Sequence, residues 1–414
     1  QGTFSAVLTP YGGFRGRVEF ALEGAPPGVE LDPATASVEI TGDAQLRHNL
    51  RVQVAGGVPL GTYSLTVRAT SGSLTKTADL TLTVLPYTDA AVDQVSENGG
   101  VLVGSARVGD GIKPMVWRID PASLSPGFHW LGEVAQQVVV LDTGVPSAPY
   151  GVVLGVTADG QVGCGYGSVR ADAASGDRAL AWDLTANQAI PLPDASSGGN
   201  TAYACAKRGN DVYIVGRTVP NFPTPTIWKN YAIWHQNTAV AYGIFHDITP
   251  DASRASAQLT YRGWVYDLNF SDPNGGQYTQ LISSIGGAYW SRISPDGQAV
   301  AFSDSNSTAA IKVWYGGSVY AVNNMAAYAV RVREGVAYVF GGANGVPYRW
   351  RSDTQAKENL NDVFADLLPS GVVLKLAGPV SLDHQVMVFL AYNPASGRDE
   401  IGLLIGADPF RTAP

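Results

Sequence analysis

Charge is scarce in this chain: Asp, Glu, Lys and Arg make up only 15% of its 414 residues, and no stretch concentrates one sign. A surface that tracks phosphates needs clustered Lys and Arg, so with a net charge of -8 the chain is a poor partner for DNA, RNA or anionic lipid. Long apolar runs are missing too. None reaches the roughly 18 residues of a membrane-spanning helix, and no charged leader followed by an apolar segment is present. A start at Gln1 rather than Met reads as a mature form from which a signal peptide or a lipoprotein leader has been removed, which leaves a lipid anchor open. Cysteine is limited to Cys164 and Cys205. They form either one disulfide between neighbouring repeats or two inert buried thiols.

Catalytic and metal motifs are also lacking. The histidines, His48, His129, His235, His246 and His384, nowhere stand at metal-ligand spacing. Gly-x-Ser-x-Gly, the phosphate-cradling Gly-x-x-x-x-Gly-Lys and His-Glu-x-x-His do not occur. The turns Asp172-Ala-Ala-Ser-Gly-Asp177 and Ser271-Asp-Pro-Asn-Gly275 are the places where Ca2+ could sit, but that ion takes six to eight oxygens and two carboxylates are too few to claim it. No cofactor is expected, and no enzyme activity is nominated.

What is abundant is turn chemistry. With 48 Gly and 25 Pro the chain suits many short strands, and its length suits two domains, one of them large. The expected class is all-β. Residues 1–86 show strict alternation in Val18, Phe20 and Leu22, in Leu50, Val52 and Val54, in Tyr63, Leu65, Val67 and Ala69, and in Ala78, Leu80, Leu82 and Val84. Breaks at Pro26-Pro27-Gly28, Asp32-Pro33 and Ser71-Gly72-Ser73 space these runs as about seven strands of a β-sandwich. Leu85-Pro86-Tyr87-Thr88 is a short junction to a second domain at 88–410.

That second domain repeats one phrase: Ala/Pro-Tyr, an apolar run, then a polar turn. The tyrosines are Tyr150, Tyr203, Tyr242, Tyr289 and Tyr328, spaced 53, 39, 47 and 39 residues apart. A first copy without Tyr ends at Ser96-Glu-Asn-Gly-Gly100 and a last at Ser381-Leu-Asp-His384, giving about seven. Each turn is followed by an apolar strand such as Val101-Leu-Val-Gly104, and then by a strand carrying Trp117, Trp182, Trp228 or Trp234, Trp264, Trp314 or Trp350. Only the last copy, Ile401-Gly-Leu-Leu404, has none. Units of three or four strands every 44 or so residues cannot bury their own faces but can do so stacked radially, with the tryptophans filling the space between them. The last copy has no outer strand of its own, and residues 82–90 are expected to supply one.

The segment Gly61-Thr-Tyr63-Ser-Leu65-Thr-Val67-Arg-Ala69, with Gly28-Val-Glu-Leu-Asp-Pro33 before it, resembles the cysteine-free Ig-like domains of bacterial secreted and envelope proteins. The pattern apolar-Ser-x-Asp/Asn-Gly-x-Val-x-x-Gly followed by Trp resembles extracellular repeats of the HAF type. One copy, Ile293-Ser-Pro-Asp-Gly-Gln-Ala-Val-Ala-Phe302, also looks like the WD40-like repeat of TolB-type propellers. These resemblances imply an N-terminal Ig-like β-sandwich followed by a β-propeller of six to eight blades, in an envelope, cell-surface or secreted setting. Arg208-Gly209 and Glu334-Gly335 depart from the turn pattern.

Inner propeller strands begin on the face that carries the loops between second and third strands, so Tyr150, Tyr203, Tyr242, Tyr289 and Tyr328 are expected to ring the channel mouth there. They either stack on a ligand or wedge between blades. Arg217 to Trp228, with Phe222 and Trp228 on a proline-stiffened frame, is a recognition loop or a folded-down lid. Asp172, Asp177, Asp304 and Asp399 lie in inter-strand loops, where they serve as ligand contacts, turn caps or an acid pair. The expected function is adhesion or binding, with a glycan, envelope polymer or envelope protein as partner. The alternatives are a polysaccharide hydrolase or lyase, and a structural subunit of a surface layer, filament or phage-like assembly.

Overall fold

The structure, a computed structural model, describes residues 2–413 apart from 56–57, 59–60, 86, 145–149, 169–176, 194–198, 220–221, 240–241, 273–275, 284, 286–289 and 305–309. Two compact units divide the chain: Gln1–Pro86 with Tyr392–Asp399, and Tyr87–Ala391 with Glu400–Pro414.

The first unit holds two antiparallel sheets. Leu46–Val54 lies between Gly2–Leu8 and Val29–Leu31 in one; the other runs Ser37–Ile40, Gly16–Glu23, Gly61–Ser71, Leu74–Val84. Alternation does what period two requires. Val18, Phe20, Leu50 and Val67 point inward and share a core with Phe4, Leu22 and Ile40, so the unit is a β-sandwich.

The second unit is a β-propeller of seven four-stranded antiparallel blades. Its innermost strands, in blade order, are Thr88–Val95, Gly151–Val156, Thr201–Arg208, Gly243–Ile248, Ser291–Ile293, Ala326–Arg333 and Val373–Val380. Each packs against the next, and the seventh packs against the first. The ring is closed.

Closure departs from the expectation. Thr88–Val95 is the inner strand of blade 1, and the missing outer strand of blade 7 is Gly127–Trp130, which pairs with Arg398–Ile405. The chain leaves blade 1 after its third strand, Gly111–Arg118, adds this strand to blade 7, and returns as the outer strand Gln137–Val140. The detour also resolves the absent tryptophan. A Cβ on Gly402 would stand 2.4 Å from the ring of Phe128, so glycine is required where Phe128 of the borrowed strand fills the space. Phe128 packs edge-on against Trp130 at 4.8 Å.

The other tryptophans weld each blade to its predecessor. Trp182 of blade 2 packs among Val101, Val103 and Val116 of blade 1. Trp350 of blade 6 packs among Ala301 and Val313 of blade 5. Their indole N–H groups are satisfied by backbone where they meet it, as in Trp182 Nε1 to Asp142 O at 2.6 Å.

Five of the inner-to-second strand turns share one hydrogen-bond design. The hydroxyl of Ser96, Thr157, Thr249, Ser294 or Ser381 donates to the Asp or Asn side chain two residues on, over 2.5–3.1 Å. The same hydroxyl accepts the backbone N–H that opens the second strand, as in Val162 N to Thr157 Oγ1 at 3.1 Å. The following position is left-handed: Gly99, Gly160 and Gly297 meet that need without strain, whereas Ala252 and His384 adopt it at φ of 60° and 62°. Arg208-Gly209 and Glu334-Gly335 are bare hairpins, so the degenerate copies differ in turn type rather than in blade structure. Cys164 and Cys205 are buried, unbonded thiols that face each other across blades 2 and 3.

Candidate binding site at the channel mouth

A backbone irregularity builds the site. In five inner strands the register against the second strand slips by one residue, at Val92/Gln94, Val153/Gly155, Ala202/Ala204, Phe245/Asp247 and Ala327/Ala329. A β-bulge gives up one ladder position to re-aim a side chain. The bulged residues are Asp93, Leu154, Tyr203, His246 and Tyr328.

The second strand is shaped to match in four of these blades. A Cβ on Gly104, Gly165 or Gly216 would lie 2.0 Å from a carbonyl oxygen of the inner strand, and one on Gly341 would lie 1.7 Å from such an oxygen. This steric demand is the physical content of the glycine in the repeated Val-x-x-Gly.

Ring contacts join the bulged residues into a wall. Tyr203 lies 5.3 Å from His246 and meets Trp290 edge-on at 5.6 Å. The Arg292 guanidinium stands 5.6 Å from the Trp290 ring, and its Nε donates to Tyr328 O at 3.3 Å. Trp290 is pinned by its backbone, which both donates to and accepts from the Ser303 hydroxyl, at 3.1 and 3.0 Å. Trp290 remains 39% exposed and Tyr328 37%. Beside them Tyr203 packs on Val152 and Leu154, and Tyr150 and Tyr166 join hydroxyls at 2.9 Å.

Charges sit below the aromatics. Asp247 is buried, and its two oxygens accept the backbone N–H groups of Ile248 and Ile293 at 3.0 and 3.1 Å; burial pushes its pKa up. Asp93 is only partly accessible, and burial raises its pKa to about 6 against the pull of Arg292. Burial, reinforced by Arg292 and Arg217, holds His246 neutral, with its pKa lowered to about 3. Arg331 is buried and lowered to about 10; it donates to Val330 O and Val380 O. Gln94, Asp247, Arg292 and Arg331 line a cavity of about 60 Å3 in the channel.

The expected site residues separate on this frame. Tyr203 and Tyr328 reach the channel, but Tyr150 and Tyr242 stand before the first residues of their inner strands, Gly151 and Gly243, and do not. The tyrosines are therefore not a single ring. Tyr242 and Phe222 are each 51% exposed and lie 5.3 Å apart on the same face. Trp228 is a correction: it is fully enclosed in the core between blades 2 and 3, with Nε1 bonded to Pro193 O at 2.8 Å, so it offers no ligand surface. Most of the expected 217–228 loop is strand, since Asp211–Thr218 and Thr224–Lys229 bracket it. Tyr289 and Asp172 lie outside the described residues, as do the side chains of Asp177 and Asp304. Asp399 is exposed at the start of its strand.

Asp93, Asp247, Trp290 and Arg292 were not singled out by the sequence. The signal that finds them is position: Asp247 and Arg292 each stand two residues before the turn hydroxyl, and Asp93 three. Chemically, the mouth offers aromatic faces, one cation at their edge and one titratable carboxyl. Among the described residues no three His, Cys, Asp or Glu side chains gather as metal ligands, and the Ser291 hydroxyl meets that of Ser256 at 2.8 Å rather than a base.

No protein-family model matches the chain, and no curated protein does. Among solved structures it is similar to TolB from Acinetobacter baumannii, with 13% identity and a TM-score of 0.36 over 83% of this chain and 63% of that one. It is also similar to the β-propeller domain of the trilobed protease from Pyrococcus furiosus, with 10% identity and a TM-score of 0.45 over 76% and 95% of the two chains. The Dos1 propeller matches with 12% identity and a TM-score of 0.46 over 84% and 90%. The chain thus spans 63% of the TolB length. At such identities the likeness is one of fold alone.

Proposed function

We propose that this is a binding protein of the cell surface or extracellular space, in which an Ig-like sandwich accompanies a propeller whose channel mouth holds a glycan. The observation that carries the proposal is the set of five inner-strand bulges, each at the cost of a ladder position, four of which carry polar or aromatic side chains, gathered around Trp290 and Arg292. Packing alone asks for no such irregularity. Rigid aromatics with few rotatable bonds suit sugar faces, and Trp290, Tyr328, Phe222 and Tyr242 remain partly exposed to offer them.

The test is a glycan array followed by titration of the best ligand against Trp290→Ala and Tyr328→Ala. Both variants are expected to bind about tenfold or more weakly while the melting temperature changes little. Loss of stability without any change in binding sinks the proposal.

One observation favours a second reading. A carboxyl raised to about 6 is suited to general acid chemistry, and Asp93 occupies the same opening. In a polysaccharide hydrolase it would protonate the leaving oxygen. Asp247 is a poor second acid, because both its oxygens are engaged by backbone. Release of reducing ends that disappears in Asp93→Asn would support this reading.

A further inference from the structure

We infer that the ligand's channel-facing group is an anion, the carboxylate of an acidic sugar, received by Arg292. This rests on the glycan-binding reading and narrows it to uronate-bearing polymers.

The chain as a whole carries a charge of -8, yet its channel concentrates cations. Arg292 and Arg331 are more than nine-tenths buried, and Arg217 stands close enough to His246 to depress its protonation alongside Arg292. Of the acids near them, Asp247 has given both oxygens to backbone N–H groups, Asp296, which acts on Arg331, accepts from the Ser294 hydroxyl and the Gln298 N–H, and Glu97 lines the cavity; Asp93 is the acid on which the Arg292 charge acts from blade 1. Meanwhile the Nε atoms of Arg217 and Arg331 are buried with no hydrogen-bond partner among the described residues. A buried donor left unmade is costly, and a guanidinium fork matches a carboxylate.

Size and edge geometry select the rest of the ligand. The cavity beside Arg292 and Arg331, at about 60 Å3, admits a carboxylate but not a sugar ring. The ring then stays outside the cavity, against Tyr328, which lines it, and the Trp290 ring 5.6 Å from the Arg292 guanidinium. An extended peptide is disfavoured because strand addition needs a continuous edge, and the bulges at Asp93, Leu154, Tyr203, His246 and Tyr328 interrupt the inward edges of five inner strands.

The Arg292 charge also acts on Asp93, so an ionised Asp93 weakens the pull of Arg292 on such a ligand. The groups around Arg292 are Tyr328 from blade 6, His246 and Asp247 from blade 4, and Asp93 from blade 1. His246 stays neutral throughout, so protonation of Asp93 removes a negative charge near Arg292 and strengthens anion binding in mild acid.

The experiment is isothermal titration of the full chain with an oligomer of glucuronic acid, the neutral glucose oligomer of equal length, and a peptide with a free C-terminal carboxylate, each near pH 7.5 and pH 5.5. The acidic oligomer is expected to bind roughly tenfold or more tightly than the neutral one, and more tightly at the lower pH. Arg292→Gln should erase the difference and Arg292→Lys retain part of it. Should Arg292→Gln not fold, the acidic-to-neutral ratio of the unmodified chain and its pH dependence decide. Equal binding of both sugars overturns the anion inference and leaves glycan binding standing. Binding of the peptide alone, or of none of the three probes, overturns both.

Discussion

The pair Asp93 and His246 sets opposing pH responses within one opening. Asp93 titrates near 6 folded against 3.8 for a free carboxyl, so it holds its proton more tightly when folded. Its contribution to stability is complete below 3.8 and is lost as pH rises through 6. His246 is depressed from 6.5 to about 3, and its burial as a neutral ring costs stability as pH falls between those values. The two effects offset each other in mild acid. Asp93→Asn should therefore raise stability by about 2 kcal/mol near neutrality, gain nothing near pH 4, and leave a variant more acid-sensitive than its parent. Denaturant titrations at three pH values check this, and an unchanged slope in the variant contradicts it. At the same scale, Trp228→Ala should cost about 3–5 kcal/mol, the signature of a core residue. The turn serines and aspartates were legible in the sequence because their hydrogen bonds span two to five residues. Of the bulged residues only Tyr203 and Tyr328 were, through the repeated tyrosine; Asp93, Leu154 and His246 were not, because they share a position and no side-chain chemistry.

Among elements, the glycine opposite four of the five bulges is the most exacting. Gly216→Ala or Gly165→Ala would force a methyl group to 2.0 Å from a carbonyl oxygen, and the bulge must flatten or the strands must part. A loss of about 3 kcal/mol is expected, together with weakened binding at the mouth. Gly109→Ala is the control: it is left-handed at φ 59° with nothing within 4 Å, and it should cost only about 1 kcal/mol and leave binding intact. Equal effects from all three would separate the bulges from the site. The repeat's tryptophan was readable as inter-blade packing because it recurs at one point of each unit. The repeat's tyrosine was misleading in part. Tyr150 and Tyr242 stand seven residues before their turn hydroxyls, whereas Tyr203 and Tyr328 stand only five and six before Arg208 and Glu334 of their bare hairpins, and a shift of that size along a strand changes which side chains reach the axis.

The whole propeller was legible as about seven like units, since Gly and Pro turns and period-two runs are local features. The closing strand was not. Nothing near Gly127-Phe-His-Trp130 marks it as belonging to a blade some 270 residues later, because strand pairing at that separation is chosen by the tertiary surface on offer. Phe128→Ala should open the seam between blades 7 and 1 first, seen as faster amide exchange in Arg398–Ile405 than in blades 3 or 4; uniform exchange would contradict a weak seam. During synthesis, Gly127–Trp130 emerges long before Arg398–Ile405 exists to receive it. The nascent chain must carry an unmated strand through six blades' worth of translation, and a ribosome stalled late in the message would leave a nearly complete disc with a sticky tab and no slot.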